Sequence, residues 1–231
     1  MKGQKIFNIV YFGSWGRGGF CIDALYKRPD IHIQAVFTQY DPNSKDPYYN
    51  LVYDFAVEHN IPVFNIYQKN SKAVNRAAID YLEQTGKTDL VGVSVAFEKI
   101  FKKELLSKLK IINLHPSLLP KYRGPSPEFW AIKNKEEFIG ITLHWVNEDI
   151  DSGDIIYQQE FKLDYDMPFL EFAEWLNARN SVEVLNNFFD KIEHLDIPCK
   201  KQDDLSVYFE RLNVDKSFYE MTLNEIHEKL R

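Results

Sequence analysis

Through residue 115 the chain repeats one unit, a short apolar run of strand length followed by an amphipathic stretch of helix length. Such runs suit strands covered on both faces, and a helix between successive strands returns the chain for parallel pairing. The pattern predicts strands at Ile6–Phe12, His32–Thr38, Pro62–Phe64, Asp89–Val95 and Ile111–His115, with helices over about 19–28, 49–59, 71–84 and 102–108. After Pro127 the rhythm changes to a helix near 128–134 and two alternating stretches, Gly140–Val146 and Asp154–Leu163. A helix from Pro168 to Ile192 follows, because apolar residues recur there at helical spacing and proline suits a first turn. The expectation is an α/β, Rossmann-like three-layer αβα domain over 1–192, with a mainly parallel mixed sheet of about seven strands. A small C-terminal extension, 193–231, is expected as a hairpin or extended piece and a short helix near 222–230. Aromatics at Tyr208, Phe209, Phe218 and Tyr219 predict that it packs on the main domain or builds a dimer interface, and a homodimer is expected.

Composition narrows the partners. Hydrophobic residues make up 45% and charged residues 27%, enough apolar material for a sizeable globular core. A net charge of -6 argues against a domain built to grip a phosphate backbone, so no nucleic-acid partner is expected. Cys21 and Cys199 stand far apart with no Cys/His cluster, which supports neither a disulfide framework nor a metal site and points to the reducing cytoplasm. The apolar run after MKGQK is too short for a signal peptide or a membrane span, and no membrane partner is expected.

The chemistry concentrates in INLHPSLLPKYRGPSP, residues 112–127, at the end of a predicted strand. Asn113 and His115 are two apart, so on extended backbone both face the same way, at the carboxyl end where open α/β sheets place ligands. Prolines follow at once and take the chain out of the sheet in a stiff loop. Asp151, in the loop EDIDSGD, is the third candidate. A carboxylate beside an imidazole orients it and favours its protonated form, while an amide donates to an oxygen turning negative. There is no G-x-S-x-G elbow, and Cys21 falls in a predicted helix without an assigned base, so the nucleophile is expected from a substrate. Glycines 13, 16, 18 and 19 suggest backbone near a ligand but lack the full dinucleotide fingerprint.

The stretch INLHPSLLPKYRGPSPEFWAI, with GITLHW and IDSGDII after it, resembles the folate-dependent formyltransferases, a group that includes glycinamide ribonucleotide, methionyl-tRNA and sugar N-formyltransferases. The resemblance spans roughly 5–192 and is strongest from 88 to 160. It implies that Asn113, His115 and Asp151 are catalytic, that 10-formyltetrahydrofolate is the co-substrate and that no metal takes part. In the implied reaction the acceptor amine attacks the formyl carbon, Asn113 and protonated His115 stabilise the oxyanion, and Asp151 supports the imidazolium. The resemblance also implies an apolar pterin slot formed by Phe97, Ile100 and Leu114 with the backbone of Glu148, Asp149 and Ile150.

The acceptor is read from the rest of the chain. Trp15 and Arg17 in GSWGRGG weaken the glycinamide ribonucleotide reading, whose early loop reads a phosphate with Gly, Asn and Ser. A methionyl-tRNA enzyme would carry a further basic C-terminal domain, whereas this sequence ends at Arg231 with an acidic total. The stretch 36–64 and LLPKYRGPSPEFWAI resemble enzymes that formylate a nucleotide-linked amino sugar. The expected acceptor is therefore a dTDP- or UDP-linked 4-amino-4,6-dideoxyhexose of O-antigen or lipopolysaccharide biosynthesis. Tyr122 and Arg123 are expected near the sugar and diphosphate, and Trp15, Tyr48 or Tyr49 near the base or sugar. The competing reading is a nucleotide-sugar-binding module without activity, against which intact Asn113, His115 and Asp151 argue.

Overall fold

A computed structural model describes residues 6–192, 197–202, 208–212 and 216–231. The five early apolar runs become β1 (Phe7–Gly13), β2 (Ile31–Thr38), β3 (Val63–Asn65), β4 (Leu90–Val95) and β5 (Ile111–His115), paired in parallel in the order β3-β2-β1-β4-β5. β6 (Phe138–Trp145) and β7 (Ile155–Lys162) extend the sheet antiparallel beyond β5, completing seven strands. This is the mixed, mainly parallel sheet expected from the sequence.

Strand periodicity divides the core. In β1, Phe7, Ile9 and Tyr11 enter the larger apolar cluster on one face, and Val10 and Phe12 enter the smaller one on the other. In β2 the assignment shifts after a register irregularity opposite Ile9/Val10, so that Val36 joins the first cluster while Ala35 and Phe37 join the second. Each fully buried side chain of this size contributes about 1.5–3 kcal/mol. A strand apolar on both faces is thereby held in the centre of the sheet.

The first helix differs from its expected span of about 19–28. α1 covers Trp15–Tyr26 because its glycines serve packing rather than a loop. A Cβ at Gly19 would lie 2.2 Å from Leu51 Cδ2, so glycine lets α1 lie directly against α2 (Leu51–Glu58). The roughly 1 kcal/mol helix cost of a glycine is offset by that approach. α3 (Ser71–Thr85) and α4 (Lys103–Leu106) cover the smaller cluster; α5 (Pro127–Lys133) covers the larger.

The long helix is continuous from Phe169 to Lys191 but changes winding midway. α6 (Phe169–Glu174) passes through a π-helical turn, Trp175–Asn180, into α7 (Ser181–Lys191), with Ser181 Oγ donating to the Leu176 carbonyl at 2.7 Å. The turn presents Asn177, whose Oδ1 accepts from Arg17 Nε at 2.7 Å. In the extension, Lys200 pairs antiparallel with Ile155 and Tyr208 pairs parallel with Arg123. The turn of the expected hairpin lies outside the described residues. A 3-10 turn, Lys216–Glu220, leads to α8 (Leu223–Leu230). Its capping box joins Thr222 and Glu225, and Leu223 and Ile226 are buried against the larger cluster.

Candidate active site

The chain leaves β1 for β2 on one side and reaches β4 on the other, so the loops at their carboxyl ends diverge and open a crevice. A cavity of about 480 Å³ lies there, with Asn113, His115 and Asp151 in its wall. Asn113 is aligned by Ser94 on the neighbouring strand, whose hydroxyl donates to Asn113 Oδ1 at 2.8 Å. That fixes the amide with its donating Nδ2 toward His144 Nε2 at 3.1 Å and Asp151 Oδ1 at 3.4 Å. His144 sits opposite Asn113 in the β5–β6 register, is 2% exposed, and was not singled out in the sequence; a histidine in an otherwise apolar strand was the available signal.

Asp151 arrives from the loop between β6 and β7 with φ of 51°. Its Oδ2 accepts from the Gly124 amide at 2.9 Å and lies 3.5 Å from His115 Nδ1, while Oδ1 lies 3.6 Å from His144 Nε2. Two imidazoles, one amide and one backbone N–H therefore converge on one carboxylate. Trp15, Ala96 and Ser126, also in the cavity wall, have positive φ as well, the kind of backbone strain that clusters at functional sites.

The loop after β5 is stitched down from β6 and β7. Thr142 Oγ1 donates to the Ser117 carbonyl at 2.6 Å, and Gln158 Nε2 donates to the Leu119 carbonyl at 2.9 Å. This brings the Tyr122 carbonyl to 2.8 Å from His115 Nε2. A carbonyl only accepts, so Nε2 carries a proton in this contact, and Nδ1 faces the Asp151 carboxylate.

Three expected acceptor contacts stand elsewhere. The Tyr122 ring is buried, its hydroxyl donating to Glu136 at 2.7 Å and accepting from Asn134 at 2.9 Å, so only its carbonyl serves the site. Arg123 donates from Nε and Nη2 to Gln202 Oε1 at 2.9 and 2.7 Å; Gln202 in turn donates to the Asp151 and Gly153 carbonyls at 2.9 and 2.7 Å. Arg123 thus ties the extension to the acidic loop instead of lining the cavity. Tyr48 is exposed, packs beside Phe20 and lies outside the cavity wall. Trp15 does line it, with Nε1 3.3 Å from Glu98 Oε1 and its ring edge-on to Tyr49. Arg17, Glu128, Tyr208 and Arg211 also line the cavity and were not among the expected contacts.

Burial pulls the His115 imidazole below its ordinary value of 6.5, and Asp151 and the Tyr122 carbonyl offset part of that. Burial also opposes the charged form of Asp151, but His115, His144 and the Gly124 amide outweigh it and hold the carboxyl well below the usual carboxylate range. The stability consequence has a definite sign. Just below pH 6.5 the unfolded chain binds more protons at His115 than the folded chain, so stability is lost as pH falls through that window. The lowered Asp151 carboxyl adds stability that is present above its ordinary 3.8 and lost at lower pH. Urea melts between pH 7 and 5 are expected to show a decline of up to about 1.4 kcal/mol per pH unit from His115, flattened in His115→Gln. Equal slopes in the two proteins would contradict this assignment.

Phe97, Ile100, Leu114, Glu148, Asp149 and Ile150 all line the cavity. Phe97 stacks on Phe101 at 5.3 Å, and Ile100 and Ile150 are 43% and 44% exposed at the rim. Large apolar side chains left in solvent around a concave wall are characteristic of a ligand-binding surface. Among the described residues no cluster of His, Cys, Asp and Glu is arranged to hold a metal, and no helix is long and apolar enough to cross a membrane.

The fold is an open α/β sheet with a cavity at the carboxyl ends of its central strands, where such sheets place their ligands. Residues 21–171 match the family described as Formyl transferase. The methionyl-tRNA formyltransferase of Clostridium beijerinckii is 32% identical over 97% of this chain and 72% of its own length. Among solved structures, the N-formyltransferase from Helicobacter canadensis in complex with folinic acid and dTDP-3-aminofucose is 21% identical with a TM-score of 0.62, covering 97% of this chain and 79% of that one. Phosphoribosylglycinamide formyltransferase from Bacillus halodurans is 20% identical with a TM-score of 0.64, covering 81% of this chain and 98% of that one. The chain belongs to the formyl transferase family and is a formyltransferase.

Proposed function

We propose that this enzyme transfers the formyl group of 10-formyltetrahydrofolate to the amine of a nucleotide-linked amino sugar. The observation that carries the acceptor reading is the extension, from which Tyr208 and Arg211 line the cavity. The net charge of -6 supports a small anionic acceptor over a nucleic acid, which favours a basic binding face. The identity with a methionyl-tRNA formyltransferase supports charged initiator tRNA as the second reading.

In the proposed reaction the acceptor amine attacks the formyl carbon. The charge that grows on the formyl oxygen is met by Asn113 Nδ2, already oriented by Ser94. The amine proton passes to the free Nδ1 of His115, and Asp151 at 3.5 Å stabilises the imidazolium. The same proton then reaches the leaving folate nitrogen, so His115 ends neutral. Placing the base in a buried wall, with the carboxylate only 14% exposed beside it, limits the solvent reorganisation that proton transfer requires.

The test is a panel assay of the purified protein with 10-formyltetrahydrofolate, dTDP- and UDP-linked 3- and 4-amino sugars, glycinamide ribonucleotide and methionyl-tRNA, read as product mass gaining a formyl group. Transfer to an amino-sugar nucleotide is expected. Transfer confined to glycinamide ribonucleotide or methionyl-tRNA would overturn the acceptor reading.

A further inference from the structure

Glu128 is the second residue of α5 and lines the cavity, yet its Oε2 is buried with no hydrogen-bond partner among the described residues. Buried carboxyl oxygens are rarely left so, because desolvation without a compensating donor is costly. The fold did not need the group there: α5 already begins at Pro127, and its buried face is supplied by Phe129, Ala131 and Ile132. Glu128 lies within electrostatic range of both His115 and Arg17, so it stands near the reacting centre and not at the outer rim. Arg17 is held at Nε by Asn177 from the π-helical turn, which keeps the guanidinium on the same wall.

Glu128 therefore brings to the cavity wall, beside the base, a carboxylate of which one oxygen has no hydrogen-bond donor among the described residues. We infer that Glu128 is a specificity-determining residue that accepts a hydrogen bond from an N–H or O–H of the acceptor next to the amine being formylated. The inference rests on the amino-sugar reading above and names what the enzyme demands of that sugar: a donor group within reach of Glu128, in addition to the nucleophilic amine. A carboxyl left unpaired discriminates strongly, because an acceptor lacking the donor leaves it desolvated and unmatched. The pterin slot, built from Phe97, Ile100 and Ile150, draws on other residues, so recognition of the two substrates is separable.

The test compares wild type with Glu128→Gln and Glu128→Ala, using the acceptor found in the panel and analogues with single ring hydroxyls replaced by hydrogen. Glu128→Ala is expected to raise the acceptor KM about 10- to 100-fold and leave the KM for 10-formyltetrahydrofolate within about twofold, with Glu128→Gln intermediate. One deoxy analogue should weaken binding to wild type and make no difference to Glu128→Ala. Equal rises in both KM values, or an unchanged acceptor KM, would overturn the inference. Thermal melting of the unliganded proteins provides a readout independent of turnover. Glu128 Oε2 makes no hydrogen bond with a described residue, and Glu128→Gln keeps the size and shape of the side chain while removing only its attraction for Arg17 and His115, so Glu128→Gln should melt within a few degrees of wild type. A larger fall in Glu128→Gln would overturn the inference by assigning Glu128 a structural role. If the amino-sugar reading itself fails, the acceptor that does react replaces the sugar in the KM comparison, and the melting result stands unchanged.

Discussion

Asp151→Asn is expected to lower kcat by about three to four orders of magnitude and to lower the melting temperature as well, because the stability held by the ionised carboxyl is lost with its charge. Position 151 has φ of 51°, a conformation that asparagine accepts almost as readily as aspartate. An amide oxygen can still receive the Gly124 N–H, which Asp151 Oδ2 accepts at 2.9 Å. What disappears is the negative charge facing His115 Nδ1 at 3.5 Å and His144 Nε2 at 3.6 Å. Without it the imidazolium formed during proton transfer is buried and unpaired, and burial already disfavours that form. His115→Ala removes the proton acceptor itself and should cost a similar factor. Because the two act as one unit, the double variant should be little worse than either alone. Single-turnover rates with saturating substrates check both claims, and a kcat within tenfold of wild type for either variant would remove that residue from the proposed mechanism.

Gly124→Ala is expected to lower stability and activity together. Gly124 has φ of 99°, and a Cβ there would stand 2.5 Å from the Phe209 carbonyl oxygen and 2.7 Å from Tyr208 Cε2. The neighbour that must give is partly backbone, since the Phe209 amide donates to the Arg123 carbonyl at 2.9 Å. Strain and overlap together cost roughly 3 kcal/mol, well above the few tenths to 1 kcal/mol that alanine gains by restricting the unfolded chain. For a chain of this length that corresponds to a melting temperature lower by roughly 5–10 °C. Moving the 124 amide also strips Asp151 of its backbone donor, so the Asp151 carboxyl should titrate nearer to its ordinary value and kcat should fall even at temperatures where the variant is folded. An unshifted melting temperature would show that the extension yields without cost.

Much of the architecture was legible because it follows from local periodicity. Runs apolar on both faces at 31–38, 90–95 and 111–115 can be satisfied only between two layers, and they are the strands of the observed sheet. Asn113 and His115 share a face because strand geometry alternates, whatever the rest of the chain does. The early start of α1 was hidden because GSWGRGG reads as loop until α2 is seen packed on its glycines. Tyr122 and Arg123 adjoin the site in the chain, and adjacency suggested contact. Their side chains turn instead to Glu136 and Gln202, partners 14 and 79 residues away.

By itself the sequence determined the layered α/β fold, the strand that carries Asn113 and His115, and a proline-rich loop to follow it, all consequences of short-range pattern. Tertiary structure alone decided that His144 faces Asn113, that Gln202 secures the acidic loop, that burial pulls the His115 imidazole down, and that Glu128 Oε2 is buried with no hydrogen-bond partner among the described residues. Each of these depends on how far water is excluded and on which distant groups arrive instead. Desolvation and partner geometry are sums over the whole packed chain, and no local window of sequence contains them.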